Sequence, residues 1–361
     1  MEIAAPISII KPAPSLSPWQ LLWRRLKRRR IAMVGGLILI FLYLVAIFAG
    51  FISPFDYQRQ DRDRFFHPPI WPKLQGWRLV VPRYEQISGD FVYRQVPEDI
   101  KPLHFFVHGE KYKLLGFIPA SLRLFGSDDD HPVYLLGTDQ FGRDVFSRLL
   151  YGSQISLSIG VIGILLSFTF GMLIGGAAGY FAGATDNLLM RLCELIMSIP
   201  ALYLIISLRN VFPATMSSSQ IYAMIIVILS FIRWASMARV IRGMSLSLRE
   251  QQFVLAARTM GQSHLRIILH HILPGTFSYV IVAASLSIPY YILGEVVLSF
   301  LGVGIQEPSA SWGLMLNAAQ NTEYMKNFPW LLAPGAAIFV TVLAFNFLGD
   351  GLRDAADTKS L

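Results

Sequence analysis

RRLKRRRIAMVGGLILIFLYLVAIFAGFI, running from Arg24 to Ile52, is the stretch whose reading decides the fold. Six basic residues (Arg24, Arg25, Lys27, Arg28, Arg29, Arg30) are followed by 22 uncharged, mostly apolar ones from Ile31 to Ile52. A secretory signal has an apolar region of about 7 to 15 residues and a small-residue cleavage site, whereas about 20 residues are needed to cross a hydrocarbon core. The run therefore predicts a retained membrane-spanning helix. Basic residues accumulate on the cytoplasmic side of a span, so the cluster before Ile31 predicts a cytoplasmic amino terminus.

Working outward, five further stretches are apolar and long enough to cross: Ile155 to Ala182, Leu188 to Leu208, Gln220 to Val240, Phe277 to Leu301, and Trp330 to Gly349. The expected total is six helices, because unpaired backbone groups cannot sit in lipid and each span must close its own hydrogen bonds. The composition agrees, with 54% apolar residues and 15% charged, fewer charges than a soluble chain of 361 residues would carry. A net charge of +8 could suggest nucleic acid, but the charge flanks apolar runs rather than forming a basic face, so no nucleic-acid partner is expected. Cys193 is the only cysteine, which excludes an intrachain disulfide and a cysteine-based metal site.

Alternation from a cytoplasmic start divides the chain into a basic tail (1–30), a first span (31–52), an external segment (53–153), a five-helix core (154–349) with an internal loop (242–275), and an internal tail (350–361). That internal loop carries Arg242, Arg249, Arg258 and Arg266, whereas the external 211–219 and 302–329 segments carry only Lys326 between them. The bias agrees with both termini being cytoplasmic. Residues 53–153 are too many for a bare connector. Trp77–Val81, Phe91–Gln95, and His104–Val107 turning at Gly109–Lys111 towards Leu115 read as short strands and a hairpin, so a β-rich extracytoplasmic insert is expected. Its His67, His104, His108 and His131 lack the cysteine or carboxylate pattern of a metal site. The run Asp128, Asp129, Asp130 reads as a solvated loop.

Gly171, Gly175, Gly179 and Gly183 recur every four residues along the second span, a stripe that lets another helix approach closely. Glu194 lies one turn from Arg191 and reads as its ion-pair partner. Glu295 and Pro289 lie inside the fifth span, where an ionisable group and a helix breaker mark a candidate solute path. Gly137, Thr138, Asp139, Gly142, Arg143 and Asp144 form a turn before the second span, either a structural turn with an Arg143–aspartate pair or a contact for another protein.

EQQFVLAARTMGQSHLRIILHHILP, Glu250 to Pro274, carries internal punctuation. Gln252 to Met260 are helix formers, Gly261 suits a left-handed cap, and Ser263 suits the start of a second helix over Leu265–Ile272. Two uses are open: an amphipathic helix lying on lipid, or a docking elbow whose small Ala256 and Ala257 enter a protein groove.

Ala256, Ala257, Gly261, Leu273 and Pro274 resemble the EAA signature of ABC importer permeases, with Leu255 standing where that signature has an acidic residue. LGTDQFGRDVFSRLLYGSQISLSIG (Leu136–Gly160), SFLGVGIQEPSASWGLML (Ser299–Leu316) and LGDGLRDAAD (Leu348–Asp357) resemble the second permease subunit of the dipeptide, oligopeptide and nickel branch. The resemblance does not extend over most of residues 53–132. It implies an all-α type I importer fold in the bacterial inner membrane and a heterodimer with a paralogous permease. It also implies two cytoplasmic ATPase subunits contacting Gln252, Phe253, Ala256, Ala257, Arg258, Met260 and Gly261, and an extracytoplasmic solute-binding protein. No G-x-x-x-x-G-K-[ST] loop occurs, so ATP and magnesium belong on the partner ATPases, this chain binds no cofactor of its own, and it is not expected to be an enzyme. Rival readings are an ion-gradient transporter, which predicts an inverted repeat, and a membrane-anchored sensor, which needs neither six spans nor an elbow.

Overall fold

The computed structural model describes the chain except for residues 1–17, 89–90, 115, 128–130, 201–202, 204–205, 208–212, 214–215 and 358–361. The Asp128–Asp130 run therefore lies outside the described residues. A short helix α1 (Pro18–Leu26) carries the basic cluster into α2 (Arg30–Ile47), and α3 (Ala49–Ile52) ends the first apolar run. Five strands follow: β1 (Lys73–Gln75), β2 (Arg78–Ser88), β3 (Val92–Pro102), β4 (His104–Leu114) and β5 (Ile118–Gly126). The remaining helices are α4 (Val145–Phe181), α5 (Gly183–Ser198), α6 (Ser218–Leu248), α7 (Gln252–Thr259), α8 (His264–Ile267), α9 (Phe277–Phe300), α10 (Trp312–Asn317), α11 (Thr322–Asn327) and α12 (Ala333–Ala356).

Among the described residues, five helical segments are long and apolar enough to cross a membrane: Arg30–Ile47, Val145–Phe181, Ser218–Leu248, His264–Phe300 and Pro329–Ala356. The stretch expected as a third span, Leu188–Leu208, is not among them. Its first half lies in α5, which stops at Ser198 before Pro200, and several of its later residues lie outside the description. The second span is longer than its apolar run, for α4 begins at Val145 rather than Ile155 and holds 37 residues. At 1.5 Å per residue it is roughly 55 Å long, against a hydrocarbon core of about 30 Å. It overshoots the membrane and has protein at both ends.

At its first end sit the strands. β1, β2 and β3 form one antiparallel sheet, and β4 and β5 pair as a separate hairpin. The hairpin turn expected at Gly109–Lys111 lies instead inside β4. The register jumps there from His108↔Leu122 to Tyr112↔Ala120, so the extra residues are absorbed as a bulge and the strand continues. Phe55, Ile70, Val81, Phe125, Val133 and Tyr134 form the core beneath both sheets, with Phe146 of α4 packed against it. Phe66, Val145 and Leu331 form a second cluster with Phe328 and Trp330, tying the segment before the strands and the start of α4 to the entry of α12.

Helix against helix, α4 approaches α6 closely enough to need glycine. A Cβ at Gly171 would lie 3.0 Å from the Trp234 carbonyl oxygen, one at Gly179 would lie 2.6 Å from that of Arg242, and one at Gly175 would strike that of Ala238. Gly183 does not share this contact. With Ala182 (φ 56°) it adopts a left-handed conformation (φ 58°) at the α4–α5 turn, and a Cβ there would meet nothing. Four-residue spacing continued past the helix end, where it no longer describes a face. α12 packs antiparallel along α2, with Ala32 and Leu26 against Ala355 and an Arg29–Asp354 ion pair of 3.3 Å.

Candidate functional site

The second end of α4 carries the elbow. Tyr180 and Phe181, its last residues, touch His264 of α8, with the Tyr180 hydroxyl 2.8 Å from His264 Nδ1. α7 follows α6 after a single-turn break and presents two faces. Val254 and Ala257 point inward onto Ile267 and Ile272, while Gln252, Phe253, Leu255, Ala256, Arg258 and Met260 are exposed. A cleft of about 210 Å³ opens between Tyr180, Phe181, Arg249, Leu255, Arg258 and His264.

Two details depart from the sequence reading. Ala257 is no outward knob: it is buried, and its small size sets how closely α7 approaches α8. The second elbow helix is α only over His264–Ile267, then passes through a π stretch (Ile268–Ile272) and a 3₁₀ turn (Leu273–Thr276) into α9. Ser263 takes the cap position in extended conformation but makes no side-chain cap bond. Gly261 has φ 76°, and a Cβ there would meet nothing, so it serves the reversal of the chain rather than a close approach. Its N–H donates to the Arg258 carbonyl (3.1 Å) and that of Gln262 to Ala257 (3.2 Å), closing the α7 carbonyls.

The second concentration of polar groups lies at the first end of α4. Gly137 (φ 71°) and Gly142 (φ 69°) bend the loop so that Thr138 pairs with Asp144. The Asp144 carboxylate accepts from the N–H (2.8 Å) and hydroxyl of Ser147, capping the helix, and burial pushes its pKa up to about 7. Asp139 accepts from Arg143 Nε at 2.8 Å and from the N–H groups of Phe141 and Arg143. Sequence reasoning missed the third partner. Glu307 reaches in from the loop after α9 to Arg143 (2.5 Å) and Arg148 (3.2 Å). The segments Leu136–Gly160 and Ser299–Leu316 thus meet in one ionic clamp, and the only sequence signal for it was that Glu307 is the single charge in the second segment.

Glu295 is sealed in the interior. Its carboxylate accepts from Ser156 of α4 (3.1 Å) and Ser299 of α9 (2.7 Å), so in this conformation it cannot meet a solute directly. Pro289 is likewise buried within α9. Glu194 pairs with Arg191 at 2.8 Å. Asp186 of α5 receives both Nε (2.9 Å) and a terminal nitrogen of Arg242, which fixes α5 to α6. Among the described residues no three His, Cys, Asp or Glu side chains group as metal ligands. His67 lies among the rings of Tyr84, Tyr93 and Tyr134, and burial drives its pKa down to about 4. His131 hydrogen-bonds Asp99 at 2.7 Å, which with Arg83 holds that carboxyl below its usual range.

With this geometry in view, comparison with known proteins is decisive. Residues 167–360 match the family described as binding-protein-dependent transport system inner membrane component, and residues 17–69 match the N-terminal TM domain of oligopeptide transport permease C. The chain belongs to this permease family. The permease is 35% identical over 346 residues to the dipeptide transport system permease protein DppC of Bacillus subtilis (strain 168), covering 96% of this chain and 87% of that one. It is 34% identical over 352 residues to the glutathione transport system permease protein GsiD of Escherichia coli O157:H7, covering 97% and 94%. A solved chain described as an amino acid ABC transporter with histidines is only loosely similar, with a TM-score of 0.42 and 16% identity over 56% of this chain and 91% of that one. The permease is thus a multi-pass inner-membrane translocation subunit of an ABC importer, a class of subunit that is not itself catalytic.

Proposed function

We propose that this permease moves peptides, or solutes of peptide-like size and polarity, across the inner membrane by alternating access driven from α7. The observation that carries the reading is the placement of α7. It sits at the end of α4 opposite the strands, braced inward by Val254 and Ala257 and offering Phe253, Leu255 and Met260 outward. A surface helix with an apolar outer face and a rigid inner seat is a docking element, and its seat on Tyr180 of α4, Leu248 of α6 and Ile267 of α8 passes any push towards the spans. On this reading α7, the basic α1 and both termini are cytoplasmic, and residues 53–153 with the Asp139–Arg143–Glu307 clamp are extracytoplasmic. The relatives' named substrates, dipeptides and glutathione, support the peptide class.

The full assembly would pair this chain with a paralogous permease, two cytoplasmic ATPases that hold ATP and magnesium, and a solute-binding protein outside. Residues 188–208 would supply a sixth crossing together with the end of α5. Glu295 and Pro289 would border the solute route only after α9 moves. A cysteine at Met260 in a Cys193→Ser background tests the core of this. It should crosslink to a nucleotide-hydrolysing subunit in native membranes and resist membrane-impermeant thiol reagents in intact cells. Labelling from outside, or purified complexes without an ATPase, would overturn the proposal.

A further inference from the structure

We propose that the β4–β5 hairpin is a membrane-interface element that seats Phe106 and Phe117 among phospholipids beside the first span. Leu37, Phe41 and Leu44 of α2 and its cap residue Phe48 are all exposed. Their spacing of four, three and four places them on one face, the lipid-facing stripe of a spanning helix. Phe51 of α3 prolongs that stripe, and its ring lies 6.4 Å from the ring of Phe106 in β4. The hairpin is fixed there: Tyr112 packs so tightly on Gly50 that a Cβ on the glycine would lie 2.7 Å from the tyrosine Cε2. The apolar surface of the span thus runs without interruption onto the hairpin.

Beyond that junction the hairpin remains apolar on its outside. Phe106 is 63% exposed and Phe117, at the turn, 72% exposed, with Phe105 and Ile118 exposed beside them. Strand alternation should have turned one of the neighbours Phe105 and Phe106 inward. Phe106 instead adopts φ 53°, a left-handed conformation costing a side-chain-bearing residue about 1–2 kcal/mol, and both rings stay outside. In water such a strand pair is an aggregation liability. At a bilayer surface it is an anchor, because aromatic rings favour the headgroup zone and lysine stems reach from it to phosphates. The lysines are present: Lys111 and Lys113 are exposed on the same strand, near the turn. This combination of rings and cations suits phospholipid rather than a flat protein partner. The inference needs α2 to cross the membrane but no particular solute or ATPase, so its failure would leave the proposed function standing.

The assay is spin-label depth measurement on the full transporter in phospholipid nanodiscs, in the Cys193→Ser background, with single cysteines at Phe106, Phe117 and, for reference, Gln86 on β2 of the other sheet. Power saturation with oxygen and a water-soluble nickel chelate reports burial in lipid. Labels at Phe106 and Phe117 should show an oxygen-to-nickel accessibility ratio several-fold above that at Gln86. A ratio equal to that at Gln86 would mean the hairpin stands in water. Exclusion of both reagents would mean another subunit covers it. Either result overturns the proposal, and because Phe117 is exposed, its replacement leaves the hairpin fold intact as a check on Phe106.

Discussion

Replacing Asp139 by asparagine while leaving Glu307 intact is the most incisive test of the ionic clamp. The two guanidinium side chains it serves are 7% (Arg143) and 2% (Arg148) exposed, and Asp139 itself is 10% exposed, whereas Glu307 is 43% exposed. Removing the buried partner leaves two buried guanidinium groups sharing one half-exposed carboxylate, at roughly 3 kcal/mol, the low end of breaking a buried pair. Removing the half-exposed one loses an interaction that water already screens, at about 1 kcal/mol or less. The amide of Asp139→Asn keeps an oxygen for the Phe141 and Arg143 N–H groups, so the difference isolates charge from turn geometry. Denaturant-induced unfolding of the purified transporter in mild detergent should therefore rank Asp139→Asn well below Glu307→Gln, with the double variant costing more than the sum because only then is Arg143 left with no carboxylate. Equal destabilisation by the two single changes would refute the reasoning, since it would mean that burial does not decide the strength of these pairs.

Three further outcomes follow from the same physics. Ala257→Asp should collapse the elbow and abolish uptake, because it buries an unpaired carboxylate against Ile267 and Ile272, whereas Met260→Asp should leave the fold intact and weaken only ATPase recovery on pull-down. Gly179→Leu should lower stability by about 1–3 kcal/mol or more, measured by thermal unfolding, because its Cβ meets the Arg242 backbone rather than a movable side chain. His67 binds its proton more weakly when folded, with a pKa near 4 against 6.5. Stability of the strand region should hold above pH 6.5 and fall by roughly 3 kcal/mol as pH drops towards 4. Near-ultraviolet dichroism of its tyrosines should follow that loss, and His67→Phe should flatten it.

Much of this architecture was legible because lipid imposes a stringent rule on sequence. Ile31–Ile52 had to be a helix once its length and lack of charge were seen, and Gly261 announced a reversal because few residues tolerate its φ. The glycine stripe was readable over Gly171–Gly179, where the period of one helix persists, and misled at Gly183, where the helix had ended. Other features depend on contacts far apart in the chain. Nothing local shows that Glu307 faces Arg143 and Arg148, that Ala257 turns inward, or that β4 continues through Gly109 by bulging rather than turning. The start of α4 at Val145 was hidden because Val145–Gln154 mixes Arg148 with polar residues whose partners lie in α2, in the segment before the strands and in the loop after α9.

The wide turn over Ile268–Ile272 carries a consequence for how the elbow is phased to the spans. A π segment holds one residue more than an α-helix would in the same length, and each α-helical residue accounts for about 100° of rotation and 1.5 Å of rise. Excising a single residue there would let the helix relax to regular winding, swing α7 by about a quarter turn, and aim Phe253 and Met260 away from their present direction. The transporter would then be clutched out: a sound membrane bundle and a sound lever, geared at the wrong angle.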